Sequence, residues 1–298
     1  VDNVVSGTVW VNELRLTGVE DTPGWAYRVS SVLKVADLGN FNIAYSTTDP
    51  FYHTLEQKFG SRETSNELTG SANLALDKFF PQNWQGTSIP LSYTYAQKKR
   101  QPRYFPNTDV LVTSTVQHFE QERGKAYADS VYLASQTYST SHLVSLTPVK
   151  IVVPTNSWLL DETVNRLSFA ASYNISRERN PISLDQKNWG WNGRLGYDLS
   201  IPEYYIQPFQ SVFAGIPILK DYKDFKLYYA PLRFNWSVDS RRNITSAIPR
   251  TFSKPTLTSD FRANRGFGIG WKLSDQGLLN LNGSYSMNAD SIPTHLEQ

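Results

Sequence analysis

Apolar and polar residues alternate with a period of two along most of this chain. That is the pattern of strands with one apolar and one polar face. Trp25, Tyr27, Val29, Leu33 and Val35 alternate with Arg28, Ser30 and Lys34. After a turn at 37–40 the pattern resumes with Phe41, Ile43 and Tyr45, then Leu68, Ala72, Leu74 and Leu76, then Ile89, Leu91, Tyr93 and Tyr95. Later runs centre on Leu167–Ile175, Trp189–Leu199, Leu232–Val238, Phe267–Leu273 and Leu279–Met287. Tight turns at 37–40 and 274–277 require antiparallel neighbours, so the pattern predicts a twisted, curved antiparallel sheet of about nine to twelve strands. One face should carry Trp25, Tyr27, Phe169, Tyr173, Trp189, Trp191, Leu195, Tyr197, Trp236, Ile269 and Trp271. The other should carry Arg28, Lys34, Asn174, Arg194, Asn235, Lys272 and Asn282. A one-residue slip would exchange the two sets, so the register is strongly specified.

Several runs reach about ten residues, longer than the ~5–6 of ordinary strands and matching the ~9–11 that cross a bilayer. The fold class expected is therefore all-β: a segment of an antiparallel transmembrane β-barrel, a curved open arc. The aromatic set then becomes a lipid-facing candidate and the polar set a pore-facing one. A soluble β-sandwich with an aromatic core is the competing architecture. Long loops are expected at about 46–64, 97–135 and 200–228, with one short loop helix at about 120–135. No domain boundary is expected within 1–298. Long and short connections alternate at first, as in outer-membrane barrels, and the alternation fails near 200–228.

Composition sharpens this reading. There are 8 Trp, 17 Tyr and 15 Phe, yet mean hydropathy is −0.42. Charged residues are 19%, below the usual quarter. A chain that is aromatic, sparsely charged and still polar on average fits two-faced strands. Lys and Arg number 29 against 27 Asp and Glu, a net charge of +2, and no concentrated basic face argues for nucleic acid. The absence of Cys removes disulfides, zinc thiolates and Cys nucleophiles. No apolar run approaches the ~18 residues of a membrane helix, so a spanning role needs a closed barrel. Val1–Val5 has neither the basic nor the apolar region of a signal peptide, which suggests a mature chain or a piece of a longer one.

Candidate chemistry is sparse, and neither enzymatic activity nor a cofactor is expected. His53, His118, His142 and His295 lack metal-ligand spacing. Glu13, Asp37 and Asp109 are read as turn caps or water-facing groups rather than as an acid pair. Gly266, Gly268 and Gly270 lie in a strand pattern, where glycine permits curvature or close approach. Lys98, Lys99 and Arg100, with Arg103, read as a solvated hairpin loop. Trp189 and Trp191 share a face and read as a lipid-facing or core pair rather than a sugar platform. The Asn-X-Ser/Thr triplets at Asn174, Asn235, Asn243 and Asn282 are assigned no glycans.

Beyond periodicity, the stretch VWVNELRLTG (Val9–Gly18), then Gly24-Trp25-Ala26, then LKVADLGNF (Leu33–Phe41), resembles the SprA (Sov) family. Leu55–Lys58, LALDKFFP (Leu74–Pro81) and IPLSYTYA (Ile89–Ala96) continue the resemblance in order. PRYFPNTDV (Pro102–Val110) is similar to a Pro-rich family loop but lacks its central prolines. RLSFAASYNISRERNP (Arg166–Pro181) and YYAPLRFNWSVDSRRN (Tyr228–Asn243) resemble later paired strands.

The resemblance implies a fragment of a giant outer-membrane translocon barrel of the type IX secretion system, linked to protein transport and gliding motility. It implies these partners: the rest of the same long polypeptide, a PorV-like shuttle, a plug protein, folded secreted cargo and membrane lipid. The alternatives are another porin- or receptor-type barrel and a soluble carbohydrate-binding β-sandwich.

Overall fold

The computed structural model describes residues 22–57, 60–106, 108–209, 225–251, 254–274 and 280–289. Ten strands form one sheet: β1 Ala26–Val35, β2 Gly39–Thr48, β3 Glu63–Ala75, β4 Pro90–Pro102, β5 Thr137–Lys150, β6 Leu167–Arg179, β7 Ser183–Ser200, β10 Arg233–Pro249, β11 Thr256–Lys272 and β12 Asn280–Ala289. Between β7 and β10 lie β8 (Tyr205–Ile206) and β9 (Leu227–Tyr228), which pair with each other. The sheet order follows the chain, and every neighbouring pair is antiparallel. This is a meander, the topology that short chain reversals impose. The sheet is not closed among the described residues, where β1 and β12 are its edges.

Both register irregularities fall at proline. β5 bulges between Leu146 and Val149 around Pro148, and β10 shifts between Ile248 and Pro249. Proline has no N–H to give the ladder, so an extra residue is displaced, on β5 itself at Pro148 and on β7, at Leu184, opposite Pro249.

Connections 36–38, 76–89 and 151–166, with the described parts of 201–232 and 273–279, lie at one end of the sheet, here the upper end. Connections 49–62, 103–136, 180–182 and 250–255 lie at the lower end. Each end thus has a tight turn and a long connection, and the porin-like segregation of loop lengths is not observed. The turn at 36–38 is built on Ala36 with φ 41 and a Leu38 N–H donated to the Val35 carbonyl at 2.9 Å. Most of the 274–277 turn lies outside the described residues, as does the expected first strand at Val9–Leu16.

The expected single helix is two helices, α1 (Val112–Arg123) and α2 (Lys125–Ser135), packed against each other. Gly124, at φ 84, separates them, a backbone conformation that side chains other than glycine rarely adopt. A third helix, α3 (Trp158–Glu162), lies in the 151–166 connection. Buried Asn165 ties that connection down. Its Oδ1 accepts the Val153 N–H at 2.8 Å, and its Nδ2 donates to the Val153 carbonyl at 3.2 Å.

There is almost no core. The buried apolar side chains are Val112, Ala128 and Tyr228 among the described residues. The chain exposes 21913 Å², whereas a compact monomer of 33.9 kDa exposes about 12,800 Å². The excess follows from a single sheet layer with both faces uncovered. No described helix is long and apolar enough to cross a membrane, which says nothing of strands.

Candidate functional site

Residues directly opposite in an antiparallel ladder share a face, so the registers assign every strand position. One continuous row is Leu33, Phe41, Ala72, Tyr93, Val144, Tyr173 and Trp191. Another is Leu167, Tyr197, Trp236, Phe267 and Tyr285. The same bookkeeping places Tyr27, Phe169, Trp189, Leu195, Ile269 and Trp271 on this apolar face. Trp25, one residue before β1, stacks on Tyr27 with ring centroids 5.6 Å apart. The face is bare: Val29 is 62% exposed, Leu33 60% and Tyr173 44%.

The apolar band crosses the strands obliquely. Its upper limit is Val35 on β1, and Val35 is level through the ladders with Ala263 on β11. On β11, however, the band continues to Trp271. That is a climb of about eight residues over eight strand spacings, or ~27 Å up for ~38 Å across. The strands therefore tilt by about 35° from the band's normal. On β7 the band runs from Trp189 to Leu199, ~34 Å along the strand and ~28 Å once tilted. At common depth, Tyr27, Tyr95, Tyr173, Trp189 and Trp191 lie near its lower margin. Tyr197, Phe234, Trp236 and Trp271 lie near its upper margin.

The opposite face is polar. Arg28, Lys34, Asn174, Arg194 and Asn235 lie on it, and the register sets Asn282 opposite Gly270. Lys272 belongs to it by register, but its Nζ donates to the Tyr228 hydroxyl at 3.1 Å and lies 4.4 Å from that ring's centre. It is tied to the β8–β9 hairpin. Lys98 pairs with Glu67, Arg194 with Asp239 at 3.4 Å and Arg233 with Asp198 at 2.5 Å. These pairs are solvated, so each adds little stability, but their charges keep the face wetted. Lys98 and Arg100 are thus strand residues of β4 rather than loop residues, because β4 runs on to Pro102. Asn side chains fill the space that glycines leave. A Cβ at Gly268 would lie 2.3 Å from Asn235 Oδ1, and one at Gly190 would lie 2.2 Å from Asn243 Oδ1.

The remaining polar candidates do not converge. His53 contacts the Phe51 carbonyl, His118 faces Glu122 at 3.6 Å, and His142 meets the Tyr93 hydroxyl at 2.9 Å. Asp37 lies at the upper end and Asp109 at the lower; Glu13 and His295 lie outside the described residues. No group of three or more His, Cys, Asp or Glu residues is suited to a metal among the described residues. Arg103 stacks 4.5 Å from the Phe51 ring centre.

Sequence reasoning missed a basic row. Lys99, Arg177, Arg179 and Lys187 lie on the apolar face just below its lower margin. The signal was present: each continues the period-two apolar rows by one or two steps, Arg177 and Arg179 after Ile175 and Lys187 before Trp189.

Residues 2–116 match the SprA_N family, described as a motility related/secretion protein. That stretch is similar to the SprA_N family. The match contains β1 to β4, so the SprA-family segment includes the start of the two-faced sheet. It also contains the Val9–Gly18 and Leu33–Phe41 stretches. No curated protein matches the chain.

Proposed function

We propose that this sheet is a stretch of the wall of an outer-membrane, protein-conducting β-barrel. Its apolar face meets lipid and its polar face meets a water-filled conduit. The observation that carries the reading is the uncovered apolar band, ~28 Å high. It is edged by aromatic residues and crossed by strands tilted ~35°, within the ~35–45° of membrane barrels whose apolar band is ~25 Å. The match of residues 2–116 to the SprA_N family supports secretion and motility as the process. Passage of folded cargo calls for a wide pore, and barrel width grows with strand number, so ten strands form an arc of such a wall. The rest of the polypeptide, a PorV-like shuttle, a plug protein and cargo are the partners proposed. The face carries no chemistry in this reading, and the chain is not proposed as an enzyme. A β-sandwich would need a second stacked sheet, and the only other sheet among the described residues is β8–β9, with two residues per strand.

The chain has no Cys, so single-cysteine labelling has no background. In the membrane-embedded protein, Asn174→Cys should react with a charged, water-soluble thiol reagent. Tyr173→Cys, one residue away on the other face, should resist it and instead be quenched by lipid-borne nitroxide once labelled. Equal reaction of both positions with the charged reagent would refute the lipid assignment.

A further inference from the structure

Below the aromatic margin, the apolar face carries cations that the conduit reading does not use. Tyr138, opposite Lys99 on one side and Arg179 on the other, lies at the start of β5. Lys187 lies opposite Arg177. Arg250 follows β10, and its N–H bonds to the Ile182 carbonyl at 2.9 Å in the 180–182 turn. Arg177 is held by Asp185 through two N–H bonds, at 2.5 and 3.1 Å. Lys99, Arg179, Lys187 and Arg250 have no carboxylate partner among the described residues. Arg179 lies over the Tyr138 ring, 5.2 Å from its centre, and its enclosed Nε meets no acceptor. Arg250 donates from Nε to the Asn180 carbonyl at 2.9 Å, which leaves its terminal nitrogens without a partner among the described residues.

Three of these five cations line a groove of about 900 Å³. Arg177, Arg179 and Arg250 form its polar wall, while Leu133 of α2, Leu184 and Ile248 form its apolar one. Two carboxylates also line it. Asp185 is matched by Arg177, and Glu178 accepts the Asn180 side-chain amide at 2.8 Å from the polar face. The row immediately above Arg177 and Lys187 is Tyr95, His142, Ile175, Trp189 and Ile244, mostly apolar.

We infer that this groove binds the phosphate-bearing headgroup of an anionic membrane lipid, whose acyl chains then lie along the apolar rows above it. The inference rests on the reading of that face as lipid-covered. Unpaired guanidinium groups match phosphate oxygens geometrically. Their position, at the edge of an apolar band rather than on the wetted face, favours a phosphate attached to acyl chains over a free one. α2 closes the outer side of the groove and gives it the shape that an open basic surface lacks.

The test uses the protein in mixed micelles with acyl-brominated lipids and with Trp25, Trp236 and Trp271 replaced by Phe, so that among the apolar-face tryptophans quenching is read from Trp189 and Trp191 above the groove. Brominated phosphatidylglycerol should quench at concentrations at least ten-fold lower than brominated phosphatidylcholine, since each cation near a lipid surface adds about five-fold before screening. Arg179→Gln/Lys187→Gln/Arg250→Gln should reduce that preference to within about two-fold while phosphatidylcholine still quenches. Arg179→Lys/Arg250→Lys should retain most of it, which excludes mere unfolding. Equal quenching by both lipids with the cations intact overturns the headgroup site and leaves the lipid face standing. Failure of both lipids to quench overturns the lipid face itself. Loss of the preference on adding millimolar inorganic phosphate, at matched ionic strength, reveals a free-phosphate site and overturns the lipid assignment.

Discussion

Ala171 sits at the centre of the apolar stretch of β6, which runs from Leu167 to Ile175. Its neighbours across the ladders are Leu146 and Gly193. With ~3.4 Å per residue and a ~35° tilt, Ala171 lies ~11 Å from either end of that stretch. An arginine side chain cannot bring its charge to water over that distance without thinning the lipid. Ala171→Arg should therefore cost about 2–4 kcal/mol, the figure for a cation at the midplane of a membrane barrel. Ser172→Arg, one residue along and on the polar face, should cost about 1 kcal/mol or less. Ala171→Leu controls for bulk and should also stay near 1 kcal/mol, because Gly193 beside it carries no side chain. The assay is a urea titration of the lipid-embedded protein followed by tryptophan emission. A loss of 2–4 kcal/mol lowers the folded-to-unfolded ratio by roughly 30- to 1,000-fold. In water the sign reverses: a charge on a bare apolar face would be neutral or favourable. Equal costs for Ala171→Arg and Ser172→Arg, or a neutral Ala171→Arg, would refute the assignment of that face to lipid.

Three further outcomes are expected. Gly190→Ala should destabilise by about 1–3 kcal/mol, read from the same titration, since its Cβ would lie 2.7 Å from the Arg242 carbonyl as well as against Asn243. Asn165→Ala should leave the sheet intact but speed amide exchange at Val153 by ten-fold or more, because a partly buried N–H loses its acceptor at a cost of about 1–3 kcal/mol. A double-mutant cycle between Arg194 and Asp239, whose side chains are 64% and 42% exposed, should give a coupling below about 1 kcal/mol that fades with salt.

The faces were legible in the sequence because period-two alternation is a direct print of the pleat. Phe169 and Tyr173 against Asn174, or Trp189 and Trp191 against Arg194, need only counting. Strand ends were less legible. Lys98, Lys99 and Arg100 look like a loop because charge clusters often are, but β4 continues through them with Glu67 and Glu63 as partners across the ladder. The helical hairpin was seen only in its second half. α1 has polar residues on most of its surface, with Val112 its one buried residue, so it left no amphipathic stripe to read. The tilt was invisible, because an oblique band exists only once neighbouring registers are known.

That obliqueness explains one of the two charges that break the apolar face. Arg242 is level with Trp191 across the β7–β10 ladder and looks like a cation among aromatics. Corrected for tilt, it lies at the band's lower margin, 5.8 Å from the Trp189 ring centre, where a snorkelling side chain reaches the headgroup region. Arg265 does not reduce in this way. It faces the same side as Val238 and Met287, and by the same ~35° correction it sits ~11 Å inside the band. A lipid-facing cation at that depth is costly and uncommon. The proposed lipid face therefore extends over β1 through β7, where the band carries no charge, and ends short of Arg265. On the proposed reading, the stretch of β11 and β12 around Arg265 would meet something other than hydrocarbon at that depth.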